Sequence, residues 1–237
     1  MNGQKAISQE DLDNGSELMN IRSNFDSNLN QLKDMLMEMA RLSEVSIQDS
    51  IQVLIKQDLE QAKQIIERDT AIDDLENDIN DKAISLIAME APVARDLRKI
   101  IVALKISSEV ERIADNAVNI AKSTLHIGNE KLIKEIVDIP KMMDMALKML
   151  SDSLQSFLQE DVALARQCAQ EDDKVDEMYG MLVKELMGYL KQNPDNTNQI
   201  TQLAFVCRYI ERVADHSTNI AEHVIYLVTG KRYDLNA

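Results

Sequence analysis

The sequence predicts an all-α fold of two tandem, similar three-helix bundles, with six helices in total. Only 6 Gly and 3 Pro occur among 237 residues, which leaves little turn chemistry for a sheet. Leu, Ile, Met, Glu, Gln and Lys, which favour helices, are abundant. The pattern VERIADNAVNIA, from Val110, returns as IERVADHSTNIA from Ile210. A repeat at this separation indicates a duplicated structural unit.

The chain is predicted to open with a tail and then a long helix. Residues 1–17 are polar, acidic and without helical periodicity, so we expect a disordered tail there. From Leu18, apolar residues recur mostly three and four positions apart as far as Ile55. This spacing predicts one amphipathic helix that ends near Asp58.

Two further helices complete the first unit. The second is predicted from about Leu59 to Met89. Pro92 fits the first turn of the third helix, because the missing N–H of proline is no loss at that position. This third helix carries the first copy of the repeated pattern and is expected to end near His126, where Gly128 breaks the pattern.

The second unit repeats the plan of the first. Its helices are predicted from about Pro140 to Glu160, from Val162 to Lys191 and from about Asn198 to Thr229. The leading Asp residues of the matching second helices, Asp58 and Asp161, are separated by 161 − 58 = 103 positions. The predicted boundaries are therefore residues 18–127 for the first unit and 128–230 for the second, with residues 231–237 as a C-terminal tail.

The charge of the chain limits its partners. Asp and Glu number 41 against 26 Lys and Arg, for a formal net charge of -15, and no basic run exceeds two residues. A nucleic-acid binder needs a concentrated basic surface, so we expect no nucleic-acid partner. Cations or a basic protein surface fit better. The sequence also shows no apolar run of the roughly 18 to 20 residues that a spanning helix needs and no signal peptide, which predicts a cytoplasmic protein.

Each copy of the repeated pattern places acids and an amide four residues apart on one helix face. The rows are Glu111, Asp115 and Asn119 in the first unit, and Glu211, Asp215 and Asn219 in the second. Like charges at this spacing repel by about 0.2 to 0.5 kcal/mol. Because both copies keep the repulsion, we infer that a cation lies between the carboxylates.

The second helix of each unit carries a matching pair of acids, Asp69 with Asp73 and Asp172 with Asp176. If the second and third helices pack antiparallel, four carboxylates converge in each unit. Such an oxygen-only set suits Mg²⁺, Mn²⁺, Ca²⁺ or iron, and zinc remains possible. The alternative is that these acids form solvated faces or surface ion pairs, each worth about 0 to 1 kcal/mol.

Three other polar residues are candidates for supporting roles. Asn119 and Asn219 are placed to orient the carboxylates by hydrogen bonding. His216 follows Asp215 and is either a ligand or a support, and Asn116 at the equivalent position of the first unit favours a supporting or surface role. We predict no enzyme, because no nucleophilic triad, phosphate-binding glycine loop or Glu-x-x-His motif occurs. A metal-dependent enzyme and a purely structural adaptor are the alternatives from other classes.

The segments LKISSEVERIADNAVNIAK and FVCRYIERVADHSTNIAEHVIYLVTGK resemble the PhoU family of phosphate-transport regulators, and the likeness extends over about residues 18–231. The family signature Glu/Asp-x-x-x-Asp is met by Glu111 with Asp115 and by Glu211 with Asp215. The family commonly has ERIGDH, and Ala114, Ala214 and Asn116 depart from it. The resemblance implies two three-helix bundles that bind metal at these motifs, often as iron clusters.

The resemblance also implies a role. It implies a cytoplasmic, usually dimeric regulator that represses the phosphate-starvation response and restrains phosphate uptake. Such a protein acts between the ATPase subunit of a phosphate ABC transporter and a sensor histidine kinase, and reaches the membrane through these partners only. The expected cofactors are iron, manganese, zinc or magnesium ions. The nearest rival is an accessory protein of a different phosphate carrier.

Overall fold

The computed structural model describes the backbone of residues 9–235 and the side chains of residues 23–168 and 170–235. The helices are α1 (Gln9–Lys56), α2 (Leu59–Arg68), α3 (Thr70–Glu90), α4 (Ala94–Ile127), α5 (Asp138–Gln159), α6 (Val162–Gln192) and α7 (Thr197–Thr229), with a 3₁₀ turn at Pro194–Asn196. No strand occurs in this part of the chain. The predicted all-α fold of six helices is confirmed, with α2 and α3 as two segments of the predicted second helix.

The predicted boundaries differ from the structure at two points. The first helix begins at Gln9, so residues 9–17 of the predicted tail are helical, whereas residues 1–8 lie outside the described residues. Extending an existing helix avoids the cost of nucleation, and the acidic residues near this end favour the positive end of the helix dipole. Pro92 precedes α4, because Ala91 adopts a left-handed conformation and Val93 an extended one before the helix starts.

Two capping aspartates stand at the starts of α2 and α6, at equivalent positions in the two units. The Asp58 carboxylate accepts a hydrogen bond from the Gln61 amide at 3.0 Å. The Asp161 carboxylate accepts one from the Ala163 amide at 2.8 Å. Such caps satisfy amides that have no partner within the helix and contribute about 0.5 to 2 kcal/mol each.

The motif helices α4 and α7 lie against each other at the centre of the molecule and form its most extensive helix contact. They run antiparallel. Arg98, near the start of α4, donates to the Leu227 carbonyl at 3.2 Å, and Asn198, at the start of α7, donates to the His126 carbonyl at 2.9 Å. The two repeated motifs are therefore level with each other on neighbouring helices.

The apolar stripes of α4 and α7 form the centre of one continuous core. Their buried members are Ile106, Val110, Ile113, Ala117 and Ile120 in α4, and Ile210, Val213, Ile220, Val224 and Leu227 in α7. Full burial of an Ile, Leu or Val side chain contributes roughly 1.5 to 3 kcal/mol. These stripes hold the polar faces of both motif helices towards α3 and α6. Among the described residues, no helix is long and apolar enough to cross a membrane.

Candidate metal centre

The first acidic cluster lies between the α2–α3 junction and α4. Asp69 interacts electrostatically with Asp73 and Asp115, and Glu111 does so with Asp73 and Asp115. These pairings require antiparallel packing of α3 and α4. The structure thus brings together the four acids that the sequence assigns to the first site. Asp69 stands at the break between α2 and α3, where its carbonyl accepts from the amides of Ile72 at 2.8 Å and Asp73 at 3.2 Å.

Two carboxyl groups of the first cluster, those of Asp69 and Glu111, have raised pKa values. Burial is the main reason that the pKa of Asp69 rises to about 6, and the charge of Asp73 adds to it. Burial also raises the pKa of Glu111 to about 7, and Asp115 adds to that rise. Asp73 and Asp115 themselves are exposed to solvent. A cation placed among these groups would favour their charged forms.

The second acidic cluster joins α6 to α7 in the equivalent place. Burial raises the pKa of Asp172 to about 6, and the charges of Asp215 and Asp176 add to it. Burial likewise raises the pKa of Glu211 to about 7, with a contribution from Asp215. The pKa of Asp215 is raised by burial, although Arg208 opposes the rise. All four acids assigned to the second site therefore lie close enough to influence one another.

The second cluster is buried more deeply than the first. Asp172 and Glu211 are only 8% and 7% exposed, and Asp172 Oδ1 and Glu211 Oε2 are buried without a hydrogen-bond partner among the described residues. Arg208 donates to the other oxygen of Glu211. The Thr218 hydroxyl lies beside Asp172 and lowers its pKa, although this hydroxyl has no partner at hydrogen-bond distance and angle.

These donors fit a hard metal ion in chemistry, because they are carboxylate oxygens and two of them are buried without a partner. The carboxylate groups of these acids do not converge on a single point in the structure. Among the described residues, no group of three or more His, Cys, Asp or Glu side chains is placed to hold a metal ion. Metal binding would therefore require side-chain rotations at the helix faces, which the exposed Asp73, Asp115 and Asp176 are free to make. Ligation by these residues stays a prediction.

Two of the predicted supporting residues, Asn219 and His216, contact Glu109 of α4. Asn219 donates to Glu109 Oε2 of α4 at 3.1 Å and does not hold a carboxylate of the second cluster. His216 Nδ1 lies 2.8 Å from the same Glu109 oxygen, and its Nε2 is buried without a partner. In the first unit, Asn119 is partly buried. The two α7 residues therefore connect the units to each other.

Glu109 is the residue at this connection, and sequence reasoning missed it. Burial alone would raise the pKa of Glu109, but the hydrogen bonds from His216 and Asn219 outweigh burial and hold it below the ordinary value. His223 Nε2 lies 3.9 Å from the second Glu109 oxygen. The equivalent position in the second unit holds Tyr209, so the repeat pattern gave no signal for this acid.

Glu76 is the other acid that the sequence analysis did not select. Its negative charge raises the pKa of Glu111 after the larger effects of burial and Asp115. Glu76 stands three residues after Asp73 on α3, a spacing that places both side chains on one helix face. That spacing was a usable signal. The repeat obscured it, because Tyr179 occupies the equivalent position of α6.

Comparison with known proteins identifies the family of this duplicated architecture. The PhoU domain model matches residues 36–124 and 139–224, one match in each unit. A PhoU homolog of Clostridium acetobutylicum, named a phosphate-specific transport system accessory protein, is 39% identical over 216 residues and covers 91% of this chain and 99% of its own. An Aquifex aeolicus homolog of the same name is 40% identical over 203 residues, or 86% of this chain and 92% of its own.

Two crystal structures share the fold. The phosphate transport system regulatory protein PhoU from Streptococcus pneumoniae superposes with a TM-score of 0.83 at 30% identity, over 89% of this chain and 99% of that one. PhoU from Pseudomonas aeruginosa gives a TM-score of 0.83 at 31% identity, over 87% and 100%. Sequence, domain match and fold agree over nearly the whole length, and the chain belongs to the PhoU family of phosphate-transport accessory proteins.

Proposed function

We propose that this chain is a non-enzymatic, cytoplasmic regulator that serves a phosphate-specific transport system, represses the phosphate-starvation response and restrains phosphate uptake. The observation that carries the proposal is the end-to-end match, with both repeats, to relatives named as accessory or regulatory proteins of phosphate transport. The coverage includes both acidic clusters. The proposal therefore rests on the whole architecture and not on one motif.

The proposed cofactors are iron, manganese, zinc or magnesium ions, one site in each unit. Asp69, Asp73, Glu111 and Asp115 would hold the metal in the first unit, and Asp172, Asp176, Glu211 and Asp215 in the second. A bound cation supplies positive charge that neutralises the crowded carboxylates. The support for this part is the raised pKa of acids in both clusters and the two buried oxygens without a partner. The chain itself contributes two stiff helix pairs that hold the carboxylates within reach of one another.

The proposed partners are the ATPase subunit of a phosphate ABC transporter and a sensor histidine kinase, with the chain acting as a homodimer. A net charge of -15 favours association with basic protein surfaces and steers their approach. The exposed acids at both clusters would form part of such a surface. Metal bound there would change the charge that a partner meets, which is a means of regulation without catalysis.

The regulatory role is tested with a phosphate-repressible reporter in phosphate-rich medium. Cells that lack the gene should show high reporter output, and the gene should restore low output. Complementation with Glu111→Gln plus Asp115→Asn, or with Glu211→Gln plus Asp215→Asn, should leave repression impaired. The matched controls are Asp74→Asn and Glu177→Gln, which neutralise exposed acids beside the clusters. Output that stays low in cells without the gene would refute the repressor assignment.

Metal binding is tested separately by elemental analysis of full-length protein purified anaerobically. We expect at least one equivalent of metal per unit in the parent and in the Asp74→Asn control. Each cluster variant should lose the metal of its own unit only. A parent protein without stoichiometric metal, which also takes up none on dialysis against Mn²⁺ or Fe²⁺, would refute the metal sites and leave the regulatory role to the reporter assay.

A further inference from the structure

A polar cavity lies apart from both acidic clusters, at the junction of the two units. Its volume is about 190 Å³, and its walls are formed by Lys105, Glu222, His223, Tyr226, Arg232 and Tyr233. Lys105 belongs to α4 of the first unit, and the other residues belong to α7 and the segment that follows it. The cavity is not duplicated, because the equivalent positions Phe205, Lys122 and Ser123 carry different chemistry.

The segment after α7 is fastened over this cavity by three contacts. The Leu235 amide donates to Glu222 Oε1 at 2.7 Å. The Arg232 guanidinium lies over the ring of Tyr226, 5.8 Å from its centroid, and Arg166 lies 5.3 Å from the ring centroid of Tyr233. These contacts hold Arg232 and Tyr233 as a wall of the cavity.

The cations of the cavity lack carboxylate partners. Within the described part of the chain, neither Lys105 nor Arg232 has a carboxylate oxygen within 4.0 Å. Lys105 is also partly buried, and partial burial of a charge without an ion pair is unfavourable. In a chain with a net charge of -15, two unpaired cations at one cavity favour an anionic ligand.

The neutral donors at the cavity suit the same ligand. Burial, with help from Lys105, lowers the pKa of His223 to about 4, so this side chain is a neutral imidazole near pH 7. Tyr226 and Tyr233 also line the cavity, and each carries a phenolic hydroxyl that can donate a hydrogen bond. Together with the ammonium and the guanidinium, they form a set of donors from three chain segments.

Three carboxylates lie near the cavity: Glu109, Glu222 and Asp234, whose negative charge acts on Glu222. Glu109 is already engaged by His216 and Asn219, whereas Glu222 lines the cavity and uses one oxygen for the Leu235 amide. Burial raises the pKa of Glu222, and the Leu235 hydrogen bond opposes the rise. A carboxylate among cations repels a fully ionised oxyanion but accepts a hydrogen bond from one that keeps a proton.

We propose that this cavity binds free inorganic phosphate, with Lys105 and Arg232 neutralising the anion and Glu222 accepting the proton that it retains. Sulfate has the same shape but no such proton near pH 7, so it should bind more weakly. The ligand would also touch His223, which stands 3.9 Å from Glu109, and Glu109 holds His216 beside Asp215. Through Glu109, occupancy of the cavity is connected to the second acidic cluster.

The test is isothermal titration of metal-free, full-length protein at pH 7.5 with inorganic phosphate, sulfate and phosphoserine. We expect saturable binding of inorganic phosphate. Lys105→Gln and Arg232→Gln should each weaken it roughly tenfold or more, as expected for loss of a charge-assisted contact. Lys231→Gln is the matched control, because it removes the same charge beside Arg232 without lining the cavity, and its affinity should stay within about twofold of the parent. Glu222→Gln should reduce the ratio of the affinity for phosphate to the affinity for sulfate.

Three results would overturn the inference. The first is the absence of saturable binding up to about 10 mM phosphate, a concentration well above the millimolar range of weak specific sites. The second is that Lys231→Gln weakens phosphate binding as much as the cavity variants do. The third is that phosphoserine binds and free phosphate does not. Unchanged thermal unfolding of each variant excludes misfolding as the cause of a loss. The titration uses neither metal nor a cellular partner, so its failure would leave the proposed regulatory role standing, and failure of the reporter assay would leave this site untouched.

Discussion

The two acidic clusters have the same sequence signature but different surroundings. In the second cluster, Asp172 and Glu211 are nearly buried, whereas Asp69 and Glu111 of the first are partly exposed. The carboxyl pKa values still agree, at about 6 for each Asp and about 7 for each Glu. In the second cluster, polar neighbours counteract the rise in carboxyl pKa that deeper burial causes. The first cluster is less deeply buried, so its carboxyl groups reach the same pKa values with fewer such neighbours.

Those neighbours are residues in which the repeats differ. Thr218 lies beside Asp172, and the equivalent position in α4 is Val118. Arg208 pairs with Glu211, and its equivalent is Ser108. A duplicated motif therefore does not ensure a duplicated environment. It follows that the two sites should differ in stability, in metal affinity and in their response to single substitutions.

The largest difference is expected when the buried acids are neutralised in metal-free protein. Asp172→Asn plus Glu211→Gln should raise the free energy of unfolding at pH 8 by roughly 2 kcal/mol, because buried carboxylates resist ionisation. Asp69→Asn plus Glu111→Gln should raise it by only about 1 kcal/mol, since solvent screens the first cluster. Urea unfolding measures both values. Equal gains would show that depth of burial does not distinguish the clusters.

A smaller difference is expected at the histidine that replaces Asn116 in the second unit. His216→Asn removes the 2.8 Å contact with Glu109 and should lower the free energy of unfolding by about 1 kcal/mol. In a Glu109→Gln background the same substitution should cost less, and a double-mutant cycle measures the difference. Asn116→Ala is the comparison within the first unit, because Asn116 donates only to the Arg112 carbonyl of its own helix at 2.8 Å. It should show no coupling to Glu109.

A pH dependence of similar size should come from both clusters together. Glu111 and Glu211 have an ordinary pKa of 4.5 and a folded pKa of about 7, so they stabilise the fold below pH 4.5 and lose that contribution as the pH rises through 7. The free energy of unfolding of metal-free protein should therefore increase by about 1 kcal/mol when the pH is lowered from 8 to 6.5. His223 does not oppose this change, because its charging costs stability only below about pH 6.5.

Glu111→Gln plus Glu211→Gln should flatten this profile, as measured by thermal unfolding across the same pH range. The Asp74→Asn control should keep the slope of the parent. In metal-loaded protein the slope should reverse, because protons then compete with the cation for the carboxylates. If the stability of metal-free protein decreases when the pH is lowered from 8 to 6.5, this result would contradict the raised pKa values in both clusters.

The sequence predicted those features that depend on local chemistry. Helix ends came within one or two residues where a cap was visible, as at Asp161 and Gly230. The acids of each proposed site were selected because their four-residue spacing is visible in the sequence, and their role as ligands stays a prediction. The contacts of Glu109 with His216 and Asn219 could not be predicted in this way, because they depend on how α4 of one unit packs against α7 of the other. Periodicity within one unit carries no information about that register.

The smallest difference is expected at the cations that accompany the clusters. Arg208→Gln removes the ion pair of Glu211 and should lower stability at pH 8 by about 0.5 kcal/mol, since the pair is only partly screened from solvent. Lys122→Gln removes the more distant cation that lowers the pKa of Asp69, and we expect a change of about 0.2 kcal/mol or less. Raising the salt concentration to about 1 M, where the Debye length is near 3 Å, should reduce the second effect more than the first. If high salt abolishes both stability effects equally, solvent screens the charge of Arg208 as fully as that of Lys122. The second cluster would then have no cation partner that is protected from solvent.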